Sequence, residues 1–174
     1  MCSSDLQEIE NNGHTIQVNF PAGSSLNLDG HVYTLKQFHF HTTSENTIDG
    51  KSFPLEGHFV HADDKGNLAV VAVMFDQGSA NSDLAQLWQS MPMKANEKVQ
   101  MQKAFNAAQL LPKEQTYYRF NGSLTTPPCT EGVTWLVLKT ALTISAEQVA
   151  QFEKAVGGHN NRPVQPINAR PILK

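Results

Sequence analysis

Hydrophobic and polar residues alternate along most of the first half of the chain, a pattern typical of strands that bury one face. The pair Asp29-Gly30 separates two such segments and indicates a hairpin, because tight hairpin turns need residues that tolerate positive φ. An uninterrupted apolar run over 68–75 predicts a central strand buried on both faces. The predicted strands are 15–20, 25–28, 31–35, 36–41, 55–61, 68–75, 117–120 and 133–139.

Helical patterns are confined to short segments of the second half. Asn81 or Ser82 can cap the first of them, while Ser145 and Gln148 form a capping-box pattern before the last, which Gly157-Gly158 ends. The predicted helices are about 82–90, about 96–111 and 146–156. We therefore expect a mainly β protein of the α+β class, with a central twisted, largely antiparallel sheet and a few peripheral helices, forming one domain over residues 1–174.

Composition narrows the range of partners. The 174 residues are 40% hydrophobic and 17% charged, as in ordinary globular proteins, and the formal net charge of -3 argues against nucleic acid as a partner. No apolar run is long enough to cross a bilayer, so no membrane partner is expected. The opening Met1-Cys2-Ser3-Ser4-Asp5 contains no apolar segment, so no signal peptide is predicted in the chain as written.

Three histidines are the most informative side chains. In an extended strand alternate residues share a face, so His39 and His41 point the same way while Phe38 and Phe40 point to the other side. If 55–61 is the neighbouring antiparallel strand, His58 completes a three-histidine set. Three protein ligands leave a tetrahedral metal one open position, which is typical of a catalytic zinc site.

The same alternation places a polar side chain beside two of the three histidines. Gln37 lies beside His39, and Glu56 lies beside His58. A metal-bound histidine normally donates its other ring N–H to such a group, which selects the tautomer that leaves the second nitrogen free for the metal. The pattern therefore predicts a Zn²⁺ cofactor with Gln37 and Glu56 supporting its ligands.

Six motifs in this order resemble the α-class carbonic anhydrases, with the bacterial branch most similar. The resemblance implies a central twisted sheet with zinc at the base of a conical cleft, and reversible hydration of CO2 to bicarbonate and a proton. The motifs are Asn11-Asn12-Gly13-His14, Gln37-Phe38-His39-Phe40-His41, Ser44-Glu45-Asn46-Thr47, Glu56-Gly57-His58-Phe59-Val60-His61, Leu124-Thr125-Thr126-Pro127-Pro128-Cys129 and Asn161-Arg162-Pro163-Val164-Gln165-Pro166.

The resemblance also implies roles for individual residues. Zinc held by the three histidines would bind a hydroxide that attacks CO2. Thr125 would accept the proton of that hydroxide in a hydrogen bond and donate its own to Glu131, with Glu45 as a buried support of that hydrogen-bond system. A threonine hydroxyl can do both, because it is donor and acceptor at once.

Substrate and proton transfer involve a further set of residues. CO2 is small and has no net dipole, so its pocket needs apolar walls. His14 matches the proton-shuttle position of the family, and alternation along its predicted strand places Asn12 on the same face, where an amide could order water. The expected substrate-pocket residues are Val60, Val70, Leu124, Thr126, Val133 and Trp135.

The chain departs from the family at its start. Members usually carry a longer N-terminal segment with aromatic residues that cover the sheet, and this chain lacks it. Apolar surface left uncovered could be buried in a homodimer. Bacterial relatives often bond a cysteine of that segment to the one at Cys129, so a Cys2–Cys129 disulfide is one hypothesis. A periplasmic or secreted location is likewise implied by the relatives alone.

Two other interpretations remain open at this point. A His39-x-His41-x-x-x-Glu45 pattern also fits the cupins, in which Glu45 would bind iron or manganese. Alternatively, a carbonic-anhydrase-like chain without the N-terminal segment could bind zinc without useful catalysis and serve as a binding or structural module.

Overall fold

A computed structural model describes residues 7–21 and 23–174 of the chain. In this part of the chain ten strands and two α-helices alternate with loops. The strands are β1 (Glu8–Asn11), β2 (Ile16–Asn19), β3 (Ser25–Leu28), β4 (His31–His41), β5 (Leu55–Ala62), β6 (Leu68–Gln77), β7 (Glu97–Gln100), β8 (Tyr117–Ser123), β9 (Glu131–Leu138) and β10 (Leu142–Ile144). The helices are α1 (Ser82–Trp88) and α2 (Ala146–Val156), and a 3₁₀ turn covers Ala107–Leu110.

All ten strands belong to one sheet with the order β7-β1-β2-β4-β5-β6-β9-β8, while β3 pairs with β4 and β10 pairs with β6. Only β6–β9 and β10–β6 are parallel pairs; the other pairs are antiparallel. The predicted fold class, a largely antiparallel central sheet with peripheral helices, is confirmed.

The centre of the sheet positions the predicted metal ligands. Segments 31–35 and 36–41, predicted separately, form the single strand β4, whose pairing with β5 is irregular between Leu35 and Gln37. Beyond this irregularity His39 lies directly opposite His58. The register therefore brings side chains from two strands to one point on the sheet.

The opposite face of β4 packs into the main hydrophobic core. Phe38 and Phe40 are both fully buried there. The Phe40 ring lies 5.3 Å from the Trp88 ring and 6.2 Å from the Phe152 ring, so both helices cover this face. Because burying these aromatic side chains is strongly favourable, β4 must present its histidines on the other side of the sheet.

The predicted helix over 96–111 is wrong. Glu97–Gln100 forms β7 and pairs with β1, and only Ala107–Leu110 has helical geometry, as a 3₁₀ turn. Without this segment β1 would be the edge of the sheet with unpaired backbone groups, and pairing with β1 outweighs the helical propensity of the segment. By contrast α2 begins and ends where its capping box and glycines predicted, with Gly157 at φ +83°.

Candidate metal centre

Three histidine side chains converge on one point above the sheet. His39 and His41 project from β4 and His58 from β5, and one ring nitrogen from each lies within 4.8 Å of the other two. His41 and His58 are buried, and His39 is half-buried. This is the set that the sequence predicted.

Each histidine is oriented by a different partner. His39 Nδ1 lies 2.8 Å from Gln37 Oε1, and His58 Nε2 lies 2.9 Å from Glu56 Oε1, as the alternation predicted. His41 Nδ1 lies 3.3 Å from the backbone oxygen of Asn160. This third partner could not be predicted from the sequence, because a backbone carbonyl 119 residues away leaves no local pattern.

Burial keeps two of the ligands neutral. Burial and the neighbouring histidine charges lower the pKa of His39 well below its ordinary value and that of His41 to about 3. For His58, burial alone would lower the pKa, but the charge and hydrogen bond of Glu56 raise it above its ordinary value. A metal needs the free lone pair of a neutral imidazole, and proton release from His58 would accompany its binding.

The free ring nitrogens fit a metal ion. His41 Nε2 is buried and has no hydrogen-bond partner among the described residues, which is costly unless a further group occupies that position. The opposite nitrogens of all three rings are already engaged by Gln37, Asn160 and Glu56. Three imidazole nitrogens with an open fourth position are the donor set of a catalytic zinc site.

Glu56 also organises the loop that follows β4. Its carboxylate accepts hydrogen bonds from the backbone N–H groups of Glu45 and Asn46, at 2.6 and 3.0 Å, and from the Asn46 amide at 2.6 Å. Burial would raise the pKa of Glu56, but His58 and Asn46 together lower it. The carboxylate therefore stays ionised and links the His58 strand to the segment that carries Glu45.

Glu45 lies beside the metal centre. Its Oε1 accepts a hydrogen bond from the backbone N–H of Arg162 at 2.6 Å. Burial raises the pKa of Glu45, and the His58 charge, the Arg162 N–H and the Thr125 hydroxyl partly offset this rise. The Thr125 hydroxyl thus approaches this carboxylate, although Glu45 Oε2 has no partner of full hydrogen-bond geometry within residues 7–21 and 23–174.

The expected bond from Thr125 to Glu131 is not formed. Glu131 is exposed at the start of β9, where it pairs with Ser123. Within residues 7–21 and 23–174, the carboxylate that interacts with the Thr125 hydroxyl is that of Glu45. The reason is topological: Thr125 lies in the loop between β8 and β9, and that loop folds over the metal centre while Glu131 pairs at the sheet edge.

A cleft of about 340 Å³ opens over the centre. His41, Thr125, Thr126 and His14 line it. Asn12 does not share a strand face with His14 as predicted, because residues 12–14 form the turn between β1 and β2. The Asn12 Oδ1 accepts the backbone N–H groups of His14 and Thr15, both at 2.9 Å, so this side chain shapes the turn.

The predicted apolar walls form one cluster on the histidine side of the sheet. The Trp135 ring lies 4.8 Å from the His58 ring, and its Nε1 donates to the backbone oxygen of Ser123 at 3.1 Å. Thr126 lies in the cleft and outside this cluster. The cluster contains the buried Val60, Val70, Val133 and Trp135, with the half-buried Leu124 packed against them.

The comparisons with known proteins agree with this geometry. The family model for eukaryotic-type carbonic anhydrase matches residues 2–174. This chain belongs to that family. A carbonic anhydrase from Neisseria gonorrhoeae is 55% identical over 170 residues, which cover 97% of this chain and 67% of the relative. The enzyme class predicted from the sequence is thereby confirmed.

Two solved structures show the same fold. The α-carbonic anhydrase of Photobacterium profundum superposes with a TM-score of 0.92 at 53% identity, over 97% of this chain and 77% of that one. The α-carbonic anhydrase of Thermovibrio ammonificans in complex with sulfanilamide superposes with a TM-score of 0.94 at 46% identity, over 99% of this chain and 76% of that one.

The family membership excludes one of the two alternatives left open by the sequence. The cupin interpretation is wrong, since the fold is that of the carbonic anhydrases and the third side chain of the candidate metal site is His58 from β5, not Glu45. In the described residues no helix is long and apolar enough to cross a membrane. The hypothetical Cys2–Cys129 disulfide involves a residue outside the described part of the chain.

Proposed function

We propose that this chain binds one Zn²⁺ through His39, His41 and His58 and catalyses the reversible hydration of CO2 to bicarbonate and a proton. The observation that carries the proposal is the buried His41 Nε2, which has no hydrogen-bond partner among the described residues and belongs to a three-histidine set whose member His41 lines a cleft. When bound, zinc lowers the pKa of the water it holds and so supplies a nucleophile at neutral pH, an effect for which carbonic anhydrase is itself the standard example.

Thr125 and Glu45 orient the attack. The Thr125 hydroxyl lowers the pKa of Glu45 against the effect of burial, as expected of a hydrogen-bond donor, so Thr125 donates its proton toward Glu45. Its oxygen lone pairs then face the cleft and can accept a hydrogen bond only from a donor there. Thr125 therefore selects nucleophiles that carry a proton and fixes the direction of their remaining lone pair.

The apolar cluster beside His58 serves as the substrate pocket. Val60, Val70, Val133, Trp135 and Leu124 offer no charged group, which suits a substrate without a net dipole. Thr126 at the cleft wall adds a hydroxyl that can bind the polar bicarbonate product.

His14 carries the proton away from the site. It is exposed, lines the same cleft as His41 and Thr125, and is of the residue type whose ordinary titration lies near neutral pH. Water in the cleft can connect it to the metal centre.

A periplasmic or secreted location and a homodimer remain predictions from the resemblance.

Stopped-flow CO2 hydration on zinc-reconstituted protein tests this proposal, with chelated apo protein as the control. We expect hydration that is lost on chelation, restored by zinc and inhibited by sulfanilamide, the compound bound in the Thermovibrio ammonificans structure. A folded, zinc-loaded protein with no rate above buffer would instead support the zinc-binding module without catalysis.

A further inference from the structure

A second histidine lies in the proposed proton-exit cleft. His159 follows the Gly157-Gly158 pair that ends α2, and it lines the cleft together with His14, His41 and Thr125. Its side chain is 62% exposed. A group with one side toward the cleft and the other toward solvent is placed to exchange protons between them.

Asn160 holds this histidine loop against the turn that carries His14. The Asn160 amide donates to the backbone oxygens of His14 at 2.9 Å and Phe40 at 3.0 Å, and its Oδ1 accepts the backbone N–H of Thr42 at 2.8 Å. The residue next to His159 is thus fixed both to the His14 turn and to the end of the metal-binding strand. Both exposed histidines therefore line the cleft, and Asn160 holds the segments that carry them together.

A carboxylate accompanies His159. Its Nε2 lies 3.7 Å from Glu153 Oε1, which also accepts the Thr42 hydroxyl at 3.1 Å. Protonated His159 would form an ion pair with Glu153. The other titratable and charged groups of this cleft are His14, His41 and Arg162.

We propose that His159 is a second proton acceptor that works in parallel with His14. This inference rests on the proposed CO2 hydration. In the step, an O–H bond of cleft water breaks as an N–H bond forms on the His159 imidazole, while that water takes up the proton released at the metal centre. Transfer of the imidazole proton to solvent or buffer then restores the neutral ring, so no other reactant is needed.

Steady-state CO2 hydration at low buffer concentration tests the inference on zinc-loaded protein. We expect His159→Ala to lower kcat by about twofold in the wild-type background and by about fivefold or more in the His14→Ala background, because each histidine partly replaces the other. The ratio kcat/KM, which reports the hydration step before proton exit, should stay within about twofold. Added imidazole buffer should restore kcat. The matched control is His31→Ala, an exposed histidine outside the cleft.

A second measurement does not depend on activity. In competition with a chromophoric chelator, we expect His159→Ala and His14→Ala to bind zinc as the wild type does, because neither residue belongs to the three-histidine set. Weaker zinc binding by His159→Ala would mean that His159 supports the metal centre and would overturn its role as a proton acceptor. If the wild type is active but His159→Ala leaves kcat unchanged both in the wild type and in His14→Ala, the inference about His159 is wrong while the proposed function stands. The absence of hydration in the wild type would overturn the proposed function as well.

Discussion

The local chemistry of the site depends on which nitrogen of each histidine is free. Gln37, Glu56 and the Asn160 carbonyl each occupy one ring nitrogen, so the remaining three point at a common centre. Glu45 lies close to His41 and His58. One of its oxygens accepts the Arg162 N–H, and its carboxylate also interacts with Thr125. Ligands and supporting groups are therefore distinguishable by substitution.

His58→Ala should lower zinc affinity by far more than the ~10–100-fold typical of losing an outer partner, whereas Glu45→Gln should keep the metal. The reason is that His58 supplies one of three ligand nitrogens and Glu45 supplies none. Competition with a chromophoric chelator measures both affinities, and circular dichroism checks folding. Loss of zinc from Glu45→Gln with His58→Ala still loaded would contradict the assignment.

Thr125→Ala should lower kcat/KM by roughly 100-fold, within the range seen when one positioned hydrogen-bonding group is removed from an active site. Zinc content should not change, because Thr125 is not a ligand. Thr125→Ser is the matched control, since it retains the hydroxyl, and stopped-flow hydration measures both. An alanine variant as active as the serine variant would remove Thr125 from the mechanism.

At the level of elements, one face of strand β4 packs into the hydrophobic core and the other carries histidines of the candidate metal site. Phe40 packs against both helices and Phe38 lies in the same core, while His39 and His41 project from the other face. The precision of the site therefore depends on helix α2, which covers the aromatic face and leads directly into the loop of His159 and Asn160. How α2 ends affects both its stability and the position of that loop.

Gly157→Ala should destabilise the protein by about 1 kcal/mol, because residue 157 has φ +83° and an alanine side chain is strained there. In the described part of the chain, apart from Gly157 and its two sequence neighbours, no atom lies within 4 Å of the position that the new methyl group would take, so strain and not a clash is expected. Gly157→Asn should cost less, since asparagine tolerates this conformation better. Urea denaturation measures both variants; equal stability of alanine and glycine would refute the argument.

For the whole molecule, the sheet joins strands from both halves of the chain into one cooperative unit. β4 and β5 lie at its centre, and β5 carries His58 on one face and His61, also buried, on the other. His61 Nδ1 donates to the backbone oxygen of Phe59 at 2.8 Å, and burial lowers its pKa despite this bond. A buried neutral histidine makes global unfolding sensitive to pH.

The free energy of unfolding should fall as pH drops below about 6.5, the ordinary histidine pKa, because the unfolded chain then takes up a proton that folded His61 resists. The stabilising contribution is therefore complete above that pH and is lost toward the lowered pKa. His61→Gln should make the pH dependence between roughly 6.5 and 5.5 shallower in zinc-loaded protein. Urea unfolding at a series of pH values measures the difference, and identical slopes would exclude this role for His61.

The sequence by itself determined features that depend on neighbours in the chain. Strand alternation predicted the ligand histidines with Gln37 and Glu56, and local capping signals predicted α2. The tertiary structure decided the Asn160 carbonyl on His41, the Thr125–Glu45 contact and the pairing of β7 with β1. It also decided that His14 and His159 share a cleft. These contacts join residues tens of positions or more apart, so they arise from packing the whole chain and leave no periodic pattern in the sequence.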